Sequence, residues 1–127
     1  MEPPRRDKIK CSGHGRGRLP KMNIGYRTYK MVLSDLSEVK WLGRANLCKG
    51  VMEIAEDVIG DSELTLSTLL HEMLESANFE YGFLPIESPQ KEEFFNRLAY
   101  AMRDMMEKNK FLHPIRDYLF KVIKELS

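Results

Sequence analysis

From Ile24 the chain alternates. Ile24, Tyr26, Thr28 and Val32 share one side of a two-residue period, and Tyr29, Met31 and Leu33 fill much of the other. Tyr, Thr and Val pack well on a pleated surface, so this spacing predicts a strand. A second strand is expected over roughly Val39 to Ala45, holding Trp41 and Leu42. A third is expected over Val51 to Ala55, behind the turn signal Lys49-Gly50. Three short strands in succession suggest a small antiparallel meander.

The period then lengthens. Leu66, Leu69, Leu70, Met73, Leu74, Ala77 and Tyr81 recur at the spacing of one helix face. Asp61 or Ser62 suits the N-cap, and Gly82 suits the stop. Pro85 and Pro89 mark a linker, with Ser88-Pro89 reading as the cap and first position of the next helix. That helix carries Phe94, Phe95, Leu98, Ala99, Met102, Met105 and Met106 and closes at Asn109. His113-Pro114 opens a third, with Ile115, Leu119, Val122, Ile123 and Leu126. The expected fold class is α+β: a small antiparallel sheet of about three strands packed with three helices, in one domain over residues 22–127. The methionines read as adaptable core filler.

Composition narrows the function classes. The 127 residues are 43% hydrophobic and 31% charged, which suits one globular domain with its own core. No apolar run approaches the ~18 residues of a membrane span, and the first twenty residues lack the apolar stretch of a signal peptide. Two cysteines, Cys11 and Cys48, make no disulfide framework, so a reducing, cytoplasmic setting is expected. The net charge of +1 is unevenly spread: residues 1–21 hold seven Lys or Arg against Glu2 and Asp7. With few apolar side chains and several Pro and Gly, this stretch is expected to be a disordered basic tail. It lacks aromatic residues to stack on bases, which argues against nucleic acid as a partner. Cys11 and His14, with Cys48 remote, lack a fourth ligand for a zinc site.

One segment carries candidate chemistry, Thr68-Leu69-Leu70-His71-Glu72-Met73-Leu74-Glu75. One helical turn puts His71 and Glu75 on the same face, where both can meet one ion. Glu72 points about 100° away, and as a carboxylate it can act as general base on an attacking water. A third ligand must come from another element, and Glu92 and Glu93 are the candidates. Glu92 shares a face with Phe95 and Ala99 and should look inward. Glu93 lies with Asn96, Arg97, Tyr100 and Asp104 on a solvated face. Glu92 is therefore the expected inward carboxylate. A short linker favours antiparallel helices, which brings the start of the second near the end of the first.

The segment through Leu74, then Tyr81-Gly82, then Glu92-Glu93 with Arg97-Leu98-Ala99, resembles the small zinc-peptidase-like proteins of phages and prophages. These are similar to the ImmA/IrrE metallopeptidase group. Ile24-Gly25-Tyr26, Tyr29-Lys30-Met31-Val32 and Leu42-Gly43 resemble that group's opening strands. The resemblance covers about residues 23–109. It implies a zincin-like fold and a gluzincin-like site of two helix histidines, a catalytic glutamate and a downstream glutamate. By position, His71 is then a first Zn²⁺ ligand, Glu72 the general base and Glu92 the downstream ligand. Glu75 stands where the family has its second histidine, giving HExxE in place of HExxH. The implied protein is a zinc-metallopeptidase-like phage or prophage product in the cytoplasm of a bacterial host, acting on a protein substrate. The alternative is a pseudoenzyme that binds a host protein.

Glu75 changes the electrostatics. A His/Glu/Glu set carries one more negative charge than His/His/Glu, which should raise the pKa of water on Zn²⁺ above the ~7 of catalytic sites. Carboxylate-rich sites also suit harder ions such as Mn²⁺ or Mg²⁺. With no ion, Glu72, Glu75 and Glu92 would raise one another's pKa values. An ion, a proton or His71 as imidazolium must relieve them. Both a metal-retaining site and a dead site with a His71–Glu75 pair satisfy the sequence.

Overall fold

Gly25 reverses the first alternating stretch. The structure, a computed structural model, describes residues 20–126, and in it Gly25 takes a left-handed φ of 63°. The one expected strand is thereby split into a hairpin of β1 (Lys21–Ile24) and β2 (Arg27–Ser34). Lys21, assigned above to the tail, opens β1, and the carbonyl of Pro20 accepts a bond from the Met31 amide at 3.0 Å. The rest of the expected tail, with Cys11 and His14, lies outside the described residues.

The second expected strand breaks as well. The chain turns after Leu36, with Lys40 at a φ of 59°. Only Gly43–Asn46 forms β3, which leaves Trp41 and Leu42 before it and half-exposed. Val51–Ala55 forms β4 as expected. The sheet order is β1-β2-β4-β3. β2 and β4 are parallel, from Lys30 opposite Val51 to Ser34 opposite Ala55, and the other pairs are antiparallel. The fold is α+β, but the sheet has four strands rather than three and is mixed rather than an antiparallel meander. The long β2–β3 connection carries the chain outward, so that β4 returns between β2 and β3.

Helix α1 (Ser62–Tyr81) starts where Asp61 accepts from the Leu64 amide at 3.0 Å and ends at Gly82, with φ 73°. It is buried on nearly every side. Leu66, Leu69 and Leu70 enter the core with Tyr29, Met31, Met52 and Ile54. Two of its buried hydroxyls are satisfied locally: Thr65 donates to the Val58 carbonyl at 2.6 Å and Thr68 to that of Leu64 at 2.8 Å, whereas Ser76 Oγ has no hydrogen-bond partner among the described residues.

Helix α2 (Lys91–Lys108) begins later than expected. Ser88 and Pro89 lie in turns: the Ser88 amide bonds the Pro85 carbonyl, and the Lys91 amide bonds that of Ser88. Gln90 takes the cap position without a side-chain bond. Lys91 and Glu92 therefore share the first turn. Phe95 and Ala99 are buried, whereas Phe94 and Met105, expected on the apolar stripe, face outward. A short 3₁₀ turn, Lys110–Leu112, leads to α3 (His113–Leu126), which packs Leu119, Val122 and Ile123 into the core. Lys91 meets Glu75 and Arg103 meets Glu63, so α1 and α2 run antiparallel. Among the described residues, no helix is long and apolar enough to cross a membrane.

Candidate metal centre

An open cleft of about 370 Å³ lies where the edge strand β3 faces α1 and α2. Trp41 and Gly43 belong to one wall, His71 and Glu72 of α1 to the floor, and Glu92 and Tyr100 of α2 to the other wall. The Nε2 of His71 is 3.4 Å from Oε2 of Glu75 and 3.3 Å from Oε2 of Glu92. Ligand atoms of all three residues lie within 4.8 Å of one another. Bonds of about 2.0–2.1 Å to a tetrahedral ion separate neighbouring ligands by about 3.3–3.4 Å. The two imidazole–carboxylate spacings match that edge, so this group can hold a metal ion.

Burial is graded across the three. The side chains of His71 and Glu75 are 9% and 11% exposed, whereas that of Glu92 is 69% exposed at the mouth. The expected inward carboxylate is not buried: Glu92 is 69% exposed, much as Glu93 is at 70%, and the two differ in the partner each faces. Glu92 turns to His71, and Glu93 turns out to pair with Arg97 at 3.0 Å. Nδ1 of His71 is buried and has no hydrogen-bond partner among the described residues. The Phe95 ring stands edge-on to the imidazole, with centroids 6.4 Å apart. Nε2 is therefore the nitrogen that serves the cluster.

The groups of the cluster shift one another's proton affinities. Burial pushes the imidazolium of His71 down, but its hydrogen bond to Glu75 and the charges of Glu72, Glu92 and Glu75 push it up further, and the net direction is upward. Burial raises Glu75 too, yet bonds from His71, Glu92 and Lys91 bring it down to about 2. Its hydrogen bond to Glu75 raises Glu92, with burial adding to the effect. Glu72 is pushed up to about 8 by burial, with Glu75, Glu92 and Glu53 adding and His71 opposing.

Sequence reasoning passed over three residues here. Lys91 places its ammonium 2.6 Å from Oε1 of Glu75. Its neighbour Glu92 was the available signal, since both fall in the first turn of α2. Gly43 lies so close to α1 that a Cβ there would sit 2.8 Å from Cγ2 of Thr68 and 3.0 Å from Oε2 of Glu72. Arg44 makes a two-pronged pair with the fully buried Glu53, at 2.8 and 3.2 Å, and its guanidinium lies 5.5 Å from the Trp41 ring. No protein-family model, curated protein sequence or solved structure matches this chain.

Proposed function

We propose that the protein is a zinc-dependent peptidase whose ion is held by His71, Glu75 and Glu92, with Glu72 as general base. The observation that carries this reading is the convergence of Nε2 of His71 with Oε2 of Glu75 and of Glu92 at tetrahedral-edge spacing in an open cleft. A bound Zn²⁺ would supply Lewis acidity toward a scissile carbonyl. Glu72 would take a proton from the attacking water and pass it to the leaving amine. For that task it must be ionised, and a nearby dication lowers a carboxylate that burial and the neighbouring carboxylates push up to about 8. Trp41 and Tyr100 on opposite walls offer apolar surface to a substrate side chain. The resemblance of the His71–Leu74 segment to phage zinc-peptidase-like proteins points the same way.

The test is zinc content after equilibrium dialysis, comparing the native chain with His71→Ala. Binding by the native chain that falls at least about tenfold in the variant is expected. Equal content in both would overturn the ligand assignment. Glu72→Gln should keep the metal and lose hydrolysis of unfolded peptides.

A second reading is a binding module for a host protein, favoured by the lysine ammonium that already neutralises Glu75. It expects no hydrolysis by either chain. Under it, Glu75→His, which restores HExxH, gains tight Zn²⁺ that the parent lacks.

A further inference from the structure

We infer that Lys91 is a positioning residue for this centre, holding one oxygen of Glu75 so that the carboxylate presents the ion with a single oxygen, as an imidazole presents a single nitrogen. The inference rests on the metal-site reading above and says which ion the site selects.

The two oxygens of Glu75 face different partners, and Glu92 bonds the same carboxylate. Oε1 receives the Lys91 ammonium at 2.6 Å, and Oε2 faces Nε2 of His71 at 3.4 Å. Lys91 therefore bonds the Glu75 oxygen other than the one that faces His71. Both ends of the pair are largely buried, at 15% and 11% exposed, where charges are weakly screened. Backbone geometry fixes the arrangement, because Lys91 and Glu92 are adjacent in the first turn of α2. The same turn that delivers the third carboxylate delivers the cation that restrains the second.

The charge follows. Glu75 adds one negative charge relative to a histidine at that place, and Lys91 cancels it. The cluster with its lysine thus matches the net charge of two imidazoles and one carboxylate. Coordination number follows as well. A carboxylate free to bind through both oxygens suits larger, harder ions with more ligands, whereas one restricted to a single oxygen suits four-coordinate Zn²⁺. The lysine should therefore keep a carboxylate-rich site selective for zinc.

The experiment uses the full chain and the variants Lys91→Met, Lys91→Gln and Lys91→Arg, titrated with Zn²⁺ and separately with Mn²⁺. The Co²⁺ form is followed by visible absorption, which is strong for four-coordinate and weak for six-coordinate cobalt. Loss of the lysine charge should shift the Zn²⁺/Mn²⁺ affinity ratio toward Mn²⁺ by about tenfold or more and weaken the Co²⁺ band. Lys91→Arg, which keeps charge and donor, should preserve both. A merely structural role would lower all affinities together and leave the ratio unmoved. An unchanged ratio and band in Lys91→Met and Lys91→Gln would overturn the role of Lys91 and leave the metal centre standing. A native chain that binds none of the three ions would overturn the centre itself, and this inference with it.

Discussion

A single methyl group is enough to test how tightly the cleft is built. Gly43 opens β3 against α1, and a Cβ there would meet Cγ2 of Thr68 at 2.8 Å, Oε2 of Glu72 at 3.0 Å and the Glu53 carbonyl at 3.1 Å. Thr68 is β-branched, on a buried helix, and its hydroxyl is bonded to Leu64, so it has little room to yield. Gly43→Ala should cost about 1–3 kcal/mol in urea denaturation and displace the Glu72 carboxylate. Hydrolysis should fall further than metal binding, because Glu72 is not among the three ligands. At this scale much of the site was legible. His71, Glu72 and Glu75 are related by one helical turn, which is local geometry, whereas the faces of α2 separated Glu92 from Glu93 by partner and not by burial. Lys91 was readable from its adjacency to Glu92, but its bond to Glu75 joins two helices and left no mark in either helix's own pattern. Gly43 was not legible, because the contact that demands a glycine joins a strand to a helix far along the chain.

Among the elements, β3 is a short strand held mainly by its one neighbour in the sheet. It has four residues, none fully buried, and lies at the sheet edge. Arg44 ties it to β4, where Glu53 stands directly opposite and is fully buried. Removing one partner of such a pair leaves the other charge poorly compensated. Arg44→Leu should therefore destabilise by about 3–5 kcal/mol, and the double variant Arg44→Leu/Glu53→Leu by clearly less, in a denaturant double-mutant cycle. An additive cycle would show that the pair does not carry β3. The helices were the legible elements, since a 3.6-residue period sustained over several turns is a strong signal, and Asp61, Gly82 and Asn109 mark observed ends. The strands were half legible. Alternation reads the same before and after a reversal, so it could not report the hairpin at Gly25. It also carries no record of which strand pairs with which, so the insertion of β4 between β2 and β3 was invisible. Trp41 and Leu42 favour strands by type, but the turn at Lys40 keeps them out of the ladder.

At the scale of the molecule, the interior strand β2 is fastened to the end of α1 by Tyr29. Its hydroxyl donates to Oε2 of Glu80 at 2.6 Å, and Arg27 reaches the same oxygen at 3.2 Å while lying over the Tyr29 ring at 5.1 Å. Tyr29 is fully buried, whereas Tyr26, Tyr81, Tyr100 and Tyr118 are exposed. Burial, the bond to Glu80 and that residue's charge push the phenol from 10.0 up to about 12, against a smaller opposing pull from Arg27. The folded state thus binds this proton more tightly than the unfolded chain does. The resulting stability is complete below pH 10 and is lost as pH rises toward about 12. The denaturation midpoint of the native chain should fall across that window. Tyr29→Phe should start about 1–3 kcal/mol less stable at neutral pH, because Glu80 loses a donor, and should then fall less steeply. Equal slopes in the two chains would place the alkaline transition elsewhere. Run with a chelator, the comparison should give the same difference, since this fastening involves none of His71, Glu75 and Glu92. A difference that grows when Zn²⁺ is added would instead mean that the ion tightens the whole of α1 and is felt at its end.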